Sequence, residues 1–258
     1  MKPAVGSAGL ETRAPSQVES LGDEAVLALA DAERTKSELL DIAVHELRSP
    51  LTVIQGYAAL LDSGDLGHLE GPAVKAVRVI AGKAREAQEI ATTLLTVARL
   101  DSDDLRIELA PFLVAPLLER IHERARPRLA LAGASLSHAC PPELGAAGDP
   151  ALVARIMDNL VNNAITYSNP PALVRIIAVQ AAAVVEIRIV DQGLGVAIED
   201  RERIFERFVR GAGAERASGT GLGLYISREF ARRMGGDLVL GSSTLGEGSA
   251  FLLTLPSA

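Results

Sequence analysis

The 258 residues leave room for one large domain or two of ordinary size, and 48% apolar with 23% charged residues excludes a chain that is disordered throughout. Aromatics at 3% with no Trp leave the core to Leu, Val, Ile and Ala, and a net charge of −7 argues against a sequence-independent nucleic-acid binder. The one cysteine, Cys140, excludes an internal disulfide framework, and no apolar run is long enough to span a membrane.

Residues 1–20 mix Pro, Gly, Ser and Thr without periodicity and read as a flexible tail, with no basic region and apolar stretch of a signal peptide. A cytoplasmic protein is the expectation. From Leu21 to Leu61 the pattern is helical. Leu40, Val44, Leu47, Leu51, Ile54, Ala58 and Leu61 alternate spacings of four and three, a heptad seam for helix-on-helix packing. A Gly- and Pro-containing break covers residues 62–72. A second helix follows to about Leu100, with the seam Val77, Ile80, Ala84, Ala87, Ala91, Leu94 and Ala98. Two such helices joined by a short loop make an antiparallel hairpin, and a lone hairpin cannot cover both stripes. Pairing two copies into a four-helix bundle would, so a homodimer is expected.

After Asp101-Ser-Asp-Asp104 the character changes. A strand is expected at Arg106–Leu109, a helix near Val114–Arg126, and a turn-rich stretch to Gly148. Asp149-Pro150 opens a helix to about Tyr167, with Asp as N-cap and Pro at the first helical position. Strands are expected at Leu173–Val179 and Val184–Val190, then a glycine loop, a short charged helix and a glycine-rich stretch to Gly219. A helix from Thr220 to Met234 and strands at Asp237–Leu240 and Ala250–Leu255 close an α+β domain.

Chemistry concentrates at a few places. His45 sits one residue past the seam position Val44, about 100° round the helix, so the stripe does not bury it. Glu46 is beside it, Ser49 is one turn on, and Pro50 removes the hydrogen bond to the Glu46 carbonyl. A histidine next to a carboxylate on an exposed face can lose a proton and act as a nucleophile. Asn159 and Asn163 share a helix face, and amide oxygens suit a hard cation such as Mg²⁺ together with phosphate. Asp191-Gln-Gly-Leu-Gly195 puts a carboxylate at a strand end beside glycines that let backbone approach a flat ligand. Gly219-Thr-Gly-Leu-Gly-Leu224 precedes a helix and presents free N–H groups to phosphate, yet it matches neither the Rossmann loop nor the P-loop.

With these residues in order, the chain resembles the kinase core of a bacterial sensor histidine kinase of a two-component system. His45-Glu-Leu-Arg-Ser-Pro50 is similar to the family's H box, and Asn159-Leu-Val-Asn-Asn163 to its N box. Asp191-Gln-Gly-Leu-Gly195 and Gly219-Thr-Gly-Leu-Gly223 resemble the two glycine boxes, with Phe205-Glu-Arg-Phe208 between them as the F box. The fold class implied is an α plus α/β sandwich. A helical hairpin forming a dimeric four-helix bundle is followed by an α+β ATP-binding domain of the gyrase and histidine-kinase type. The domains would be a tail (1–20), a dimerisation and phosphotransfer hairpin (21–101) and a catalytic domain (102–258).

The resemblance implies that His45 accepts the phosphoryl group, that Glu46 is its general base, and that Ser49 lies where the family carries a group linked to phosphatase activity. It implies ATP and Mg²⁺ as cofactors, with Asn163 the metal ligand and Asn159 supporting metal and phosphates. Asp191 would recognise the adenine amino group, with Gly193 and Gly195 shaping that pocket and Tyr167 lining the cleft. Gly219, Thr220, Gly221, Leu222 and Gly223 would border the phosphate site and its lid. The sequence departs from the family at Thr166, often a Lys, and at Ala197, often a Pro. The implied partners are a second copy, a response regulator on another chain, and a separate sensor protein. Two rivals stand beside this reading. One is a degenerate kinase acting as a scaffold or phosphatase. The other is a non-kinase ATPase of the gyrase superfamily, which would lack an H box on a hairpin.

Overall fold

The computed structural model describes the backbone of residues 15–102, 105–210 and 220–258, and within these the side chains of residue 35 and of residues 39 onward. The chain divides into two compact units, Met1–Asp104 and Leu105–Ala258.

The first unit is a pair of helices, α1 (Pro15–Ser63) and α2 (Gly71–Asp101). The helix starts at Pro15, inside the stretch expected as tail, because proline's fixed φ suits the first turn of a helix. The rest of that expected tail lies outside the described residues. Gly64 and Gly67 take positive φ in the connecting turn, which the Gly67 N–H closes onto the Gly64 carbonyl at 3.1 Å. Asp41 pairs with Arg99 at 2.6 Å, Gln55 with Gln88 at 2.8 Å, and Asp62 with Arg78 at 2.8 Å. Partner numbers rise on one helix as they fall on the other, so the helices are antiparallel.

Val44, Ala58, Ala84, Ala91 and Ala98 of the two seams are buried, and Val44, Ala91 and Leu95 form a cluster with Leu40 against it. Alanines at heptad spacing let the helices approach closely. Leu47 and Ile54, in the same seam, are 52% and 42% exposed, as are Ile80 and Leu94 on α2 at 53% and 41%. One hairpin leaves part of its own stripe uncovered. No described helix is long and apolar enough to cross a membrane.

The second unit is a two-layer sandwich. Its strands are β1 (Ala110–Leu113), β2 (Ser135–Ala139), β3 (Gly145–Gly148), β4 (Leu173–Ala181), β5 (Val184–Val190), β6 (Asp237–Thr244) and β7 (Gly248–Pro256). Its helices are α3 (Val114–Ala132), α4 (Pro150–Tyr167) and α5 (Gly223–Arg233). Five strands form a mixed sheet in the order β2-β4-β5-β7-β6, with β2 parallel to β4 and the other pairs antiparallel, while β1 and β3 form a separate antiparallel ribbon. Burial alternates along the sheet, so Val174, Ile176, Ala178, Val185, Ile187, Ile189, Leu253 and Leu255 form one buried face. Leu117, Leu118 and Ile121 of α3, Ile156, Met157 and Leu160 of α4, and Phe230 of α5 are buried as well and complete a core that is mostly aliphatic.

Several expected elements move. The strand placed at Arg106–Leu109 lies four residues later, Pro111 being tolerated because the ribbon is only two strands wide. The turn-rich stretch to Gly148 contains β2 and β3, whose polar or tiny residues become strands only by pairing with β4 and β1. The helix near Val114 runs on to Ala132 through Pro127 and stops at Gly133 in the left-handed region, φ 59°. The short charged helix after Asp191 is two 3₁₀ turns, Ile198–Asp200 and Arg203–Phe205. Asp149 caps α4 as expected, accepting from the N–H groups of Ala151 at 2.9 Å and Leu152 at 3.3 Å ahead of Pro150.

Candidate functional site

On α1, Val44 is buried while His45, Glu46 and Ser49 are all exposed. His45 and Ser49 lie one turn apart on one face, and Glu46 is displaced by about 100°. Pro50 is accommodated within α1, so the Glu46 carbonyl has no N–H four residues on. The structure thus puts a solvent-facing imidazole next to a carboxylate and a hydroxyl, on a helix anchored from its other side.

In the second unit, α4 presents Asn159, Asn163 and Tyr167 at one-turn intervals, all half-buried. Asn159 donates to the Ser227 hydroxyl at 3.0 Å, and a Cβ on Gly223 would come within 2.5 Å of the Asn159 side-chain oxygen. A larger residue at position 223 would push the Asn159 side chain out of its place. Helix α5 begins there rather than at Thr220, whose hydroxyl instead accepts from the Leu222 N–H at 3.3 Å. Leu222 is wholly buried, so it packs beneath the loop. Gly221 has φ +70°, and a Cβ there would strike the Phe208 backbone at 2.7 Å. Gly219 lies outside the described residues.

Asp191, at the end of β5, is 9% exposed. Its Oδ1 accepts from the N–H groups of Gly193 at 2.9 Å and Ser249 at 3.2 Å. Burial raises its carboxyl above the ordinary aspartate range, and the two N–H bonds oppose this without cancelling it. A Cβ on Gly193 would meet the Tyr167 carbonyl at 2.7 Å, and one on Gly195 the Thr244 carbonyl at 2.1 Å. Gly195 also has φ +71°. The Leu194 N–H donates to the Tyr167 carbonyl at 3.0 Å, joining this loop to the end of α4. Asp191, Gly193, Gly195 and Tyr167 therefore stand around one feature, a buried carboxylate walled by backbone. Asn159 and Gly223 meet at the α4–α5 contact.

Asp158, beside Asn159 in sequence, turns the other way to Arg124 of α3 at 3.1 Å. Phe205 is buried, edge-on to Phe251 and beneath the Arg228 guanidinium, so the F box begins as packing. Phe208 is 64% exposed and holds a positive φ of 62°. Sequence reasoning missed Ser227, Ser243, Gly248 and Ser249. A Cβ on Gly248 would lie 2.1 Å from the Asp191 carbonyl. The Gly-Glu-Gly-Ser run at 246–249 was the available signal, a glycine pair in a hairpin turn facing a motif carboxylate.

Residues 35–103 match the family described as His Kinase A (phospho-acceptor) domain, and residues 148–258 match the family described as Histidine kinase-, DNA gyrase B-, and HSP90-like ATPase. Sensor protein DivL of Caulobacter vibrioides is 34% identical over 232 residues, covering 89% of this chain and 29% of that protein. Histidine protein kinase DivJ of the same organism is 29% identical, covering 82% of this chain and 36% of that protein. Sensor-like histidine kinase SenX3 of Mycobacterium tuberculosis is 29% identical over 99% of this chain and 64% of its own length. The chain thus spans about a third of the first two and under two thirds of the last. Full-length ShkA in complex with AMPPNP superposes with a TM-score of 0.70 at 29% identity, over 86% of this chain and 46% of that one. The mycobacterial sensor histidine kinase MprB gives 0.53 at 29% identity, over 57% of this chain and 98% of that one.

Proposed function

We propose that this chain, which belongs to the bacterial sensor histidine kinase family, is an ATP-dependent protein-histidine kinase that phosphorylates its own His45. The observation that carries the ATP half of this reading is Asp191. A buried carboxylate fixed on one oxygen by two backbone N–H groups, beside glycines that admit no Cβ, is built to accept from the amino edge of a flat base. Gly193, Gly195 and Tyr167 shape that pocket, while Thr220, Gly221, Leu222 and Gly223 offer backbone ahead of α5 to the phosphates.

The donor set fits a magnesium ion carried in by the nucleotide. No cluster of three His, Cys, Asp or Glu side chains able to hold a metal occurs among the described residues. The amide oxygen of Asn163 is a hard neutral ligand of the kind Mg²⁺ takes singly beside phosphate and water. When bound, the ion would spread the negative charge of the phosphates; Asn159, fixed by Ser227, holds the neighbouring turn of α4 in place. In the transfer, the unprotonated ring nitrogen of His45 attacks the γ-phosphorus in line. An N–P bond forms, the bond to the β-phosphate oxygen breaks, and ADP departs. Glu46 takes the proton from the other ring nitrogen, and the exposure of both side chains leaves them free for this.

The uncovered part of the hairpin seam favours a homodimer, and the family favours onward transfer to an aspartate of a response regulator's receiver domain. Ser49, a turn from His45, would orient water for hydrolysis of the acyl phosphate on the receiver aspartate, which releases phosphate and the free carboxylate. The domains follow as a hairpin for dimerisation and phosphotransfer (21–101) and a catalytic domain (102–258), working in the cytoplasm with input from a sensor protein. Thr166, exposed where the family often carries a lysine, is a feature that favours a degenerate kinase acting as scaffold or phosphatase.

Incubation of the chain and of His45→Gln with γ-labelled ATP and Mg²⁺ tests the reading. Label on the unsubstituted chain that is lost in acid, survives alkali and is missing from the variant is the expected result. Equal labelling of both would remove His45 from the reaction. Bound ATP with no label on either would support the degenerate reading.

A further inference from the structure

The hairpin turn between β6 and β7 is anchored by a buried serine that none of the sequence motifs contains. Ser243 is 7% exposed, and its hydroxyl oxygen lies 2.7 Å from the Val196 nitrogen, 3.0 Å from the Gly248 carbonyl oxygen and 2.9 Å from the Ser249 hydroxyl. A hydroxyl has one proton and two lone pairs, so three such bonds saturate it. The Val196 N–H can only donate and the Gly248 carbonyl can only accept. The Ser249 O–H must then be the donor to Ser243. The Ser243 carbonyl in turn accepts from Arg201 Nη2 at 2.5 Å.

These partners are the walls of the Asp191 site. Val196 ends the glycine loop that supplies the Gly193 N–H, and Ser249 supplies the other N–H on the Asp191 carboxylate. Gly248 packs against the Asp191 backbone, and Gly195 packs against the carbonyl of Thr244, the residue after Ser243. The Gly246 N–H also donates to the Leu194 carbonyl at 2.8 Å. The turn and the glycine loop thus touch throughout, and Ser243, like the Asp191 carboxylate itself, is a side chain that bonds to both.

We propose that Ser243 is a positioning residue for base recognition, a clamp that holds the Asp191 carboxylate and the Gly193–Gly195 backbone in the geometry that receives the amino-bearing edge of a purine. This rests on the reading of Asp191 as the base contact. Ser243 acts through Val196, Gly248 and Ser249. Removing its hydroxyl leaves a N–H and a carbonyl without partners in a confined space. It also frees the Ser249 N–H to drift from the carboxylate.

The test is ATP affinity, measured by titration calorimetry on the full chain across a range of pH. Ser243→Ala should bind about tenfold more weakly, the effect of losing one well-placed bond and its partner's satisfaction. Ser243→Thr, which keeps the hydroxyl, should recover most of the affinity, and Ser242→Ala, at an exposed position, should match the unsubstituted chain. A merely structural role would not move the pH profile. The influences on the Asp191 carboxyl are burial and the Gly193 and Ser249 N–H groups, and no ionised side chain among the described residues is one of them. Oδ1 is occupied by the two N–H groups, so protonation puts the O–H on Oδ2, the oxygen left to accept from the amino group, and affinity falls as pH drops through the pKa. With the Ser249 N–H loosened that pKa rises further, and the acid limb of Ser243→Ala moves to higher pH. Ser243→Cys, which keeps the volume but bonds weakly, stands in with the same expectations if the alanine variant does not fold. Wild-type affinity and an unmoved acid limb in these variants would overturn the clamp. Failure of the unsubstituted chain to bind ATP would overturn the reading of the site itself, and the clamp with it.

Discussion

The sheet of the second unit turns Val174, Ile176, Val185, Ile187, Ile189, Leu253 and Leu255 inward under its own helices, whereas the α1–α2 hairpin leaves Leu47, Ile54, Ile80 and Leu94 of its seams in water. One unit completes its core within a single chain. The other has apolar positions at the right period that stay half exposed, each side chain forgoing about 1 kcal/mol of burial. Under the proposed function the difference would separate two jobs. A nucleotide pocket around Asp191 would need rigid walls, which a closed core provides. A phospho-acceptor at position 45 would need an exposed helix face, and His45 is exposed.

The sharpest way to break this contrast is Ile54→Glu. Placing a charge on the uncovered seam of both copies should raise the dimer dissociation constant at least about 100-fold, read by sedimentation equilibrium, since two side chains are affected at once. A dimer that survives unchanged would mean the seam faces solvent in the working protein. Next comes Asp191→Asn, expected to lower ATP affinity about 10- to 100-fold by replacing a charged acceptor with an amide. The same change should raise the thermal midpoint at neutral pH. The folded carboxyl is held above its ordinary range, so the stability linked to its protonated form is lost as pH rises through that pKa, and asparagine avoids the loss. At low pH the two midpoints should converge.

Ala91→Leu tests the hairpin from its inner side. Overpacking beside Val44 and Leu95 should cost the hairpin about 1–3 kcal/mol in its unfolding midpoint and leave ATP affinity untouched. The smallest effect is expected from Asp237→Asn. Burial opposes ionisation of Asp237, but the hydrogen bond from Arg228, the Leu238 N–H and the charges of Arg228 and Arg232 outweigh it and hold the carboxyl below its usual range. Discounted for its solvent exposure, this network is worth about 1 kcal/mol at neutral pH. That contribution is present above the ordinary carboxylate pKa and is lost as pH falls through the depressed one, so the gap between variant and parent should close in acid.

Helices and their ends were legible wherever a pattern repeats. The seam from Leu40 to Leu61, the Asp149-Pro150 start of α4, and the runs at Leu173 and Val184 each announce themselves by period or by cap. What the seam does not reveal is which part of it one hairpin buries, since Leu47 and Val44 are equally apolar and only the direction of α2 separates them. Strands β2 and β3 were hidden because Ser135, Ser137, Gly145 and Ala146 carry no alternating apolar signal, and their extended form comes from β4 and β1. The site shows the same division. Asp191, the glycines and the asparagines stand out by type and spacing, whereas Ser227, Ser243 and Ser249 are ordinary serines whose role arises only when the hairpin turn folds back on the loop.

The most direct test of the account is to map the phosphoryl group by peptide mass spectrometry under alkaline handling, after incubating the full chain with ATP and Mg²⁺. The account predicts modification of one imidazole nitrogen, that of His45, with His68, His122 and His138 unmodified. A phosphoryl group on any other residue, or ATP consumed by a chain that stays unmodified at His45, would contradict it.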